Sequence, residues 1–277
     1  MIPVAFAYQK AKTVEEAIAA LSGGDAKLVA GGYSLIPAMK LRLTQPKTLI
    51  DITGIPGLKG IREENGQIII NAATTHDEIG NNEIIRNYLP FFEQAAHIIG
   101  DVQVRYRGTI GGSLAHADPA ADWPALVLAA DATIEVIGSN GIRSIRATEF
   151  FTGLFSTTLK QDEIITAIRV PVPPRGATSV YLHFAQPASR FAIVGCAVLR
   201  LPDGKVTISF TGVADTPFRD TAAEQAVSGK TLDDININAA VDAAINGVSI
   251  MGDHFASEEY RKHLAKVYLK RALQAVA

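Results

Sequence analysis

Thr109–Pro124 reads TIGGSLAHADPAADWP, with adjacent glycines at 111 and 112, then Ser113, His116, Asp118 and Asp122. Such a segment suits a nucleotide loop, a metal site, part of a hydrolase triad or a plain surface turn. A Ser113–His116–Asp118 triad is excluded, because the nucleophile elbow GxSxG is absent and the three lie too close in sequence to converge. A metal site needs three or four convergent ligands, and His116 with Asp118 has no third partner nearby. None of the six histidines (His76, His97, His116, His183, His254, His263) belongs to an HExxH motif or pairs with cysteines. The phosphate-binding turn and the plain turn remain.

A second glycine pair bears on that choice. AGGYSL at Ala30–Leu35 echoes TIGGSL at 109–114, each GG followed closely by serine and leucine. Glycine lets backbone N–H groups approach an oxyanion without Cβ obstruction, and serine adds a hydroxyl donor. Two such turns on separate lobes can clasp a diphosphate from both sides with no lysine; the plainer alternative is two tight turns that serve only the backbone. Neither is a GxGxxG running from strand into helix, so a Rossmann site is not supported. SGKT at 228–231 is no phosphate loop: the first glycine of that motif falls on Glu224, and a helix precedes it. It reads as a helix end, with Thr231 as the N-cap of the next helix.

The 277 residues are 48% hydrophobic and 19% charged, with a formal net charge of −2. That suffices for a large core and one to two domains. The slight apolar excess points to a surface buried against a partner. No concentrated basic face is available to bind nucleic acid. MIPVAFAYQKAK lacks the basic region of a signal peptide, and WPALVLAA and AIVGCAVL are too short to span a bilayer. A cytoplasmic location is the default. Cys196 is the single cysteine, which excludes an internal disulfide and any thiolate-held iron–sulfur cluster within the chain.

Lys12–Gly24 predicts a helix: Thr13 and Glu16 form a capping box, Val14, Ala17, Ile18 and Leu21 make the apolar stripe, and Gly23 caps the end. AKLVAGG and KTLIDIT read as strands, and GQIIINAATTHDEIG as a strand followed by a helix capped near Thr75. NEIIRNYLPFFEQAAHIIG is helical and broken at Pro90, and PALVLAADATIEVIG passes from helix to strand. A proline-rich boundary, RVPVPPRGA, precedes three alternating segments, TSVYLHF, FAIVGCAVLRL and KVTISFTGVA, expected to form an antiparallel sheet; an Ala-rich helical region comes after them. The expected division is an α+β domain over 1–174, with lobes of about 1–55 and 60–174, and a sheet-plus-helices domain over 175–277.

AGGYSLIPAMKLRL (30–43), with GDVQVRYRGTIGGSLAHADPAADWPALVLAADA (100–132), resembles the FAD-binding medium subunit of the molybdenum hydroxylases. The likeness is to the carbon monoxide dehydrogenase and xanthine dehydrogenase families, and it covers essentially the whole chain. It implies an α+β fold: a two-lobed FAD-binding domain of the vanillyl-alcohol-oxidase (PCMH) type, then a C-terminal domain of antiparallel sheet and helices. It also implies partners, namely a large subunit that carries the molybdenum cofactor and a small subunit with two [2Fe–2S] clusters, joined as a dimer of heterotrimers. The medium subunit of such a heterohexamer takes electrons onto FAD and passes them to an external acceptor. The lone cysteine agrees with clusters held elsewhere, and argues against the 4-hydroxybenzoyl-CoA reductase variant, whose medium subunit carries an extra cluster.

Carried over by motif, Val29, Ala30, Gly31, Gly32, Tyr33, Ser34 and Leu35 meet the FAD diphosphate, and Thr109, Gly111, Gly112 and Ser113 complete the cradle. Ile99 lies against the cofactor, and Leu159 is an apolar contact. Asp122, with Asp118 before it, accepts from an FAD hydroxyl or ring group. His183, in YLHFAQPASRF, stands where the family often has lysine in a Y-x-K-x-x-R-like segment near the flavin. Tyr33 occupies the turn where a linking histidine would be sought, so FAD is expected to be non-covalent. No catalytic acid or base and no metal ligand is needed from this chain, because the flavin does the chemistry. The alternative is a flavin-free interaction subunit that keeps the fold. Asp118 would then cap before Pro119, and Asp122 would cap the helix beginning WPALVLAA.

Overall fold

The computed structural model describes residues 1–277. Its first helix, Val14–Ser22, starts at Thr13, whose hydroxyl accepts the Glu16 N–H at 3.2 Å. The other half of the expected capping box differs: the Glu16 carboxyl takes the N–H of Lys12, not that of Thr13. The helix packs Ala17 and Leu21 with Ile50 and Ile52 in a small core. It links two strands, Ala7–Lys10 and Ala26–Val29, which flank Thr48–Asp51 in a three-stranded parallel sheet. Crossing helices are what parallel pairing requires.

Five antiparallel strands come next, in the order Ile61–Glu64, Gln67–Asn71, Ile164–Pro171, Thr133–Gly138 and Gly141–Arg146. Ile68, Ile69 and Ile70 are all fully buried, which is why QIIIN shows no alternation. The largest core forms against this sheet and includes Phe91, Phe92, Leu126 and Trp123. Helices Glu83–Tyr88 and Pro90–Ile98 meet at Leu89, with Pro90 at the start of the second, where its missing N–H costs nothing. Asp122–Ala129 is buried along its whole length. A helix apolar on every side must be covered on every side.

The third sheet supplies that cover. Thr178–Ala185, Ala192–Arg200, Val206–Thr211 and Phe218–Arg219 pair antiparallel. One face carries Val194, Cys196, Val198, Ile208 and Phe210, which pack with Leu264, Leu269 and Leu273 of helix Glu258–Ala275. The other face meets helix Asp122–Ala129 through hydroxyls. Thr207 donates to the Ala129 carbonyl at 2.6 Å and Ser209 to that of Ala125 at 2.5 Å. Thr211 reaches the Pro119 and Ala121 carbonyls, both at 2.7 Å. Two sequence expectations need correction. The helix after SGKT is Asp234–Ala243 and is capped by Asp233, which accepts the Asn236 N–H; Thr231 bonds the Asp233 carboxyl instead. Asp122 is the first residue of its helix and makes no cap bond.

Candidate functional site

A cavity of about 520 Å³ opens where the three sheets converge. That volume falls in the range of small-molecule sites, roughly 300–1,000 Å³. Val29, Ala30, Gly31, Gly32, Tyr33, Ser34 and Leu35 all line it, as do Thr109, Gly111, Gly112, Ser113, Asp118 and Asp122. Ile99 and Leu159 add apolar surface. His183 alone among the sequence-derived candidates does not line it, and stands behind Asp122.

The first glycine turn packs against the residues that lead into the second. A Cβ on Gly31 would overlap the Arg107 carbonyl oxygen and lie 2.8 Å from Gly108 Cα, so only glycine lets the segments close to this distance. Gly32 has a φ of +81°, the left-handed region that turns the chain from strand Ala26–Val29 into helix Leu35–Lys40. Their backbone donors differ, however. The N–H groups of Ile110 and Gly111 go to the Thr74 and Ala72 carbonyls at 3.1 and 2.9 Å. Gly112 donates to Thr109 Oγ1 at 3.1 Å and Ser113 to the Thr109 carbonyl at 3.0 Å. By contrast, the N–H groups of Gly31, Gly32, Tyr33 and Ser34 meet no acceptor within the chain. Successive free N–H groups in a turn form an anion-binding nest. The donor side of the cavity is therefore the first turn; the second supplies close-packed wall, and Ser113, His116 and Asp118 form no relay. Asp118 accepts the Ala120 N–H at 2.9 Å, and burial pushes its carboxyl above the usual range, with the Asp122 charge adding.

Asp122 is held from behind. Its Oδ1 accepts the Tyr181 hydroxyl at 2.6 Å and lies 2.7 Å from His183 Nδ1. Both come from strand Thr178–Ala185, so the third sheet orients an acid on the cavity wall. Tyr181 is buried, and burial raises its hydroxyl well above the usual pKa, reinforced by Asp122; it stays a donor. The alternative reading of Asp122 as a helix cap fails because Ala121 holds the N-cap position and Asp122 already lies inside the helix.

Sequence reasoning missed His76. It begins helix His76–Gly80 behind the Thr75 capping box, lines the cavity, and accepts the indole N–H of Trp123 on Nδ1 at 3.0 Å. Its partner lies 47 positions away, so no local pattern marks the pair. Also missed were Ser189, Arg190 and Phe191, which bring the third sheet's first connection to the cavity. Arg190 sits at a φ of +62° and reaches the Gly100 carbonyl at 3.3 Å.

Two family models cover the chain. Residues 4–173 match the FAD binding domain in molybdopterin dehydrogenase, and residues 179–276 the CO dehydrogenase flavoprotein C-terminal domain. The chain is 40% identical over 281 residues to the carbon monoxide dehydrogenase medium chain of Hydrogenophaga pseudoflava, covering 99% of this chain and 98% of the relative. It is 34% identical to the glyceraldehyde dehydrogenase medium chain of Sulfolobus acidocaldarius, with both chains covered in full. Among solved structures, carbon monoxide dehydrogenase from Hydrogenophaga pseudoflava, in a form lacking the Mo-pyranopterin moiety, superposes with a TM-score of 0.96 at 42% identity, covering 100% of this chain and 98% of that one. Quinoline 2-oxidoreductase from Pseudomonas putida 86 superposes with a TM-score of 0.93 at 28% identity, covering 100% and 98%. No helix is long and apolar enough to cross a membrane. On this sequence and fold, the chain belongs to the FAD-binding medium subunits of the molybdenum hydroxylases, the family of carbon monoxide and xanthine dehydrogenases.

Proposed function

We propose that this chain is an electron-transfer subunit, taking electrons from iron–sulfur clusters of a partner subunit onto FAD and passing them to an external acceptor. The observation that carries the reading is the cavity, whose one wall offers four consecutive unspent backbone donors while another presents an oriented acid. FAD carries both a diphosphate and a ring system with donor groups, so the donor and acceptor chemistry fits it. When bound, the flavin supplies the redox chemistry.

Within this reading, Val29 to Leu35 bind the diphosphate. Thr109, Gly111, Gly112 and Ser113 shape the wall that the first turn closes against. Ile99 and Leu159 exclude water, and Asp122 accepts from an FAD hydroxyl or ring group, with Asp118 beside it. His183 acts through Asp122 rather than by contact. FAD is held without a covalent bond, because Tyr33, not histidine, occupies the turn. The partners are a large molybdenum-cofactor subunit and a small [2Fe–2S] subunit in a dimer of heterotrimers; with its single cysteine, this chain is not the holder of the clusters.

Purification with all co-purifying chains tests this. The expected product is red-brown from its clusters, contains molybdenum and iron, and releases all of its flavin into the supernatant on acid precipitation. A complex that releases no flavin and is indifferent to added FAD would contradict the reading and favour a scaffold subunit; flavin left in the precipitate would contradict non-covalent binding.

A further inference from the structure

We propose that His76 is a binding residue for the FAD diphosphate, a neutral imidazole whose Nε2–H donates to a phosphate oxygen held on the Gly31–Ser34 turn. The inference rests on the FAD reading above and adds a residue that neither glycine motif contains.

Indole N–H is a donor only, so His76 Nδ1 must be the acceptor in its 3.0 Å bond with Trp123. In the neutral ring the proton is then on Nε2. Nε2 has no hydrogen-bond partner in the chain, although His76 is only 5% exposed, and the ring lines the cavity. Nε2 is not among the side-chain atoms sealed from solvent, so its N–H opens onto the cavity and is free to donate to an acceptor bound there.

The position of Nε2 indicates which part of a ligand would meet it. A Cβ on Gly108 would lie 2.6 Å from this atom, and a Cβ on Gly31 would lie 2.8 Å from Gly108 Cα. Nε2 is thus separated from the free-donor turn by the width of one glycine. Arg105 stands nearby, its guanidinium anchored on the Ile99 and Gly100 carbonyls at 3.2 and 3.0 Å. Burial, with Arg105 adding, holds His76 down at about 4, so it is uncharged at neutral pH and donates through a fixed tautomer. Nearby positive charge and a row of N–H donors both favour an anionic oxygen over a ring carbonyl.

The test uses the full chain with its co-purifying partners, stripped of flavin and titrated with FAD, and with ADP as a competing diphosphate. His76→Leu should weaken FAD by about tenfold or more, as for a lost hydrogen bond to a charged group. The ADP inhibition constant should rise by the same factor. His76→Gln, which carries an amide N–H near the place of Nε2, should remain within about threefold of wild type. If His76→Leu does not fold, His76→Met is the donorless comparison. Unchanged FAD affinity in the donorless variant would overturn the proposal. So would weakened FAD with unchanged ADP inhibition, which moves the contact away from the diphosphate, or equal losses in the Gln and donorless variants, which make it packing. Wild-type protein that binds no FAD would instead sink the reading beneath it.

Discussion

His76 carries a liability in its burial. Desolvation, with Arg105 second, holds its pKa at about 4, whereas in the unfolded chain it titrates at the ordinary value of 6.5. Between these values the unfolded state binds the extra proton, so folding stability falls as pH drops from 6.5 towards 4 and is fully present above 6.5. The interval corresponds to roughly 3 kcal/mol at 1.36 kcal/mol per unit. Urea unfolding of the flavin-free chain should show the stability difference between wild type and His76→Gln shrinking by about that amount from pH 7 to pH 4. Parallel pH dependences would mean His76 is not buried neutral. At this scale legibility was uneven. Asp122 was recognisable from its motif, but the two donors that orient it, Tyr181 and His183, lie 59 and 61 positions away. Distant partners of this kind leave no local trace in sequence.

Among elements, the two glycine turns looked alike and act differently. AGGYSL comes after a strand of the parallel sheet and leaves its N–H groups free; TIGGSL begins a helix, and its N–H groups are consumed by Thr109, Ala72 and Thr74. The repeated motif was legible, but its internal hydrogen bonding depended on the neighbouring segment 72–74. Gly31→Ala and Gly112→Ala should therefore separate. The first forces a methyl into the Arg107 carbonyl and Gly108, backbone atoms that cannot give way, and should abolish FAD binding. The second meets only Thr109 Oγ1, a side-chain atom at 2.8 Å that can rotate, so binding should weaken without being lost. FAD titration of both variants checks this, and equal affinities would mean the close approach at Gly31 is not required. Element boundaries were legible wherever caps are local, as at Thr13, Thr75 and Pro90.

The whole molecule is joined by a polar seam that the sequence disguised. In VTISFT the alternating Thr207, Ser209 and Thr211 look like a solvent face, yet all three are buried against the segment Pro119–Ala129. Alternation reports that two faces differ, and burial of the hydroxyl face depends on carbonyls supplied from 78 to 92 positions away. Two further backbone bonds, Ala192 to Ala120 at 3.1 Å and Gly212 to Pro119 at 2.6 Å, tie the same segment down. The third sheet thus fixes the stretch that ends in Asp122, while the first sheet delivers the free-donor turn, and the function proposed above has FAD held between them. Backbone hydrogen exchange, with and without FAD, reads this arrangement amide by amide. FAD should slow exchange at Gly31, Gly32, Tyr33 and Ser34 by about tenfold or more, because these amides gain an acceptor, and leave Ile110 to Ser113 nearly unchanged. Protection confined to 110–113, or absent from 31–34 in protein that has bound FAD, would contradict it.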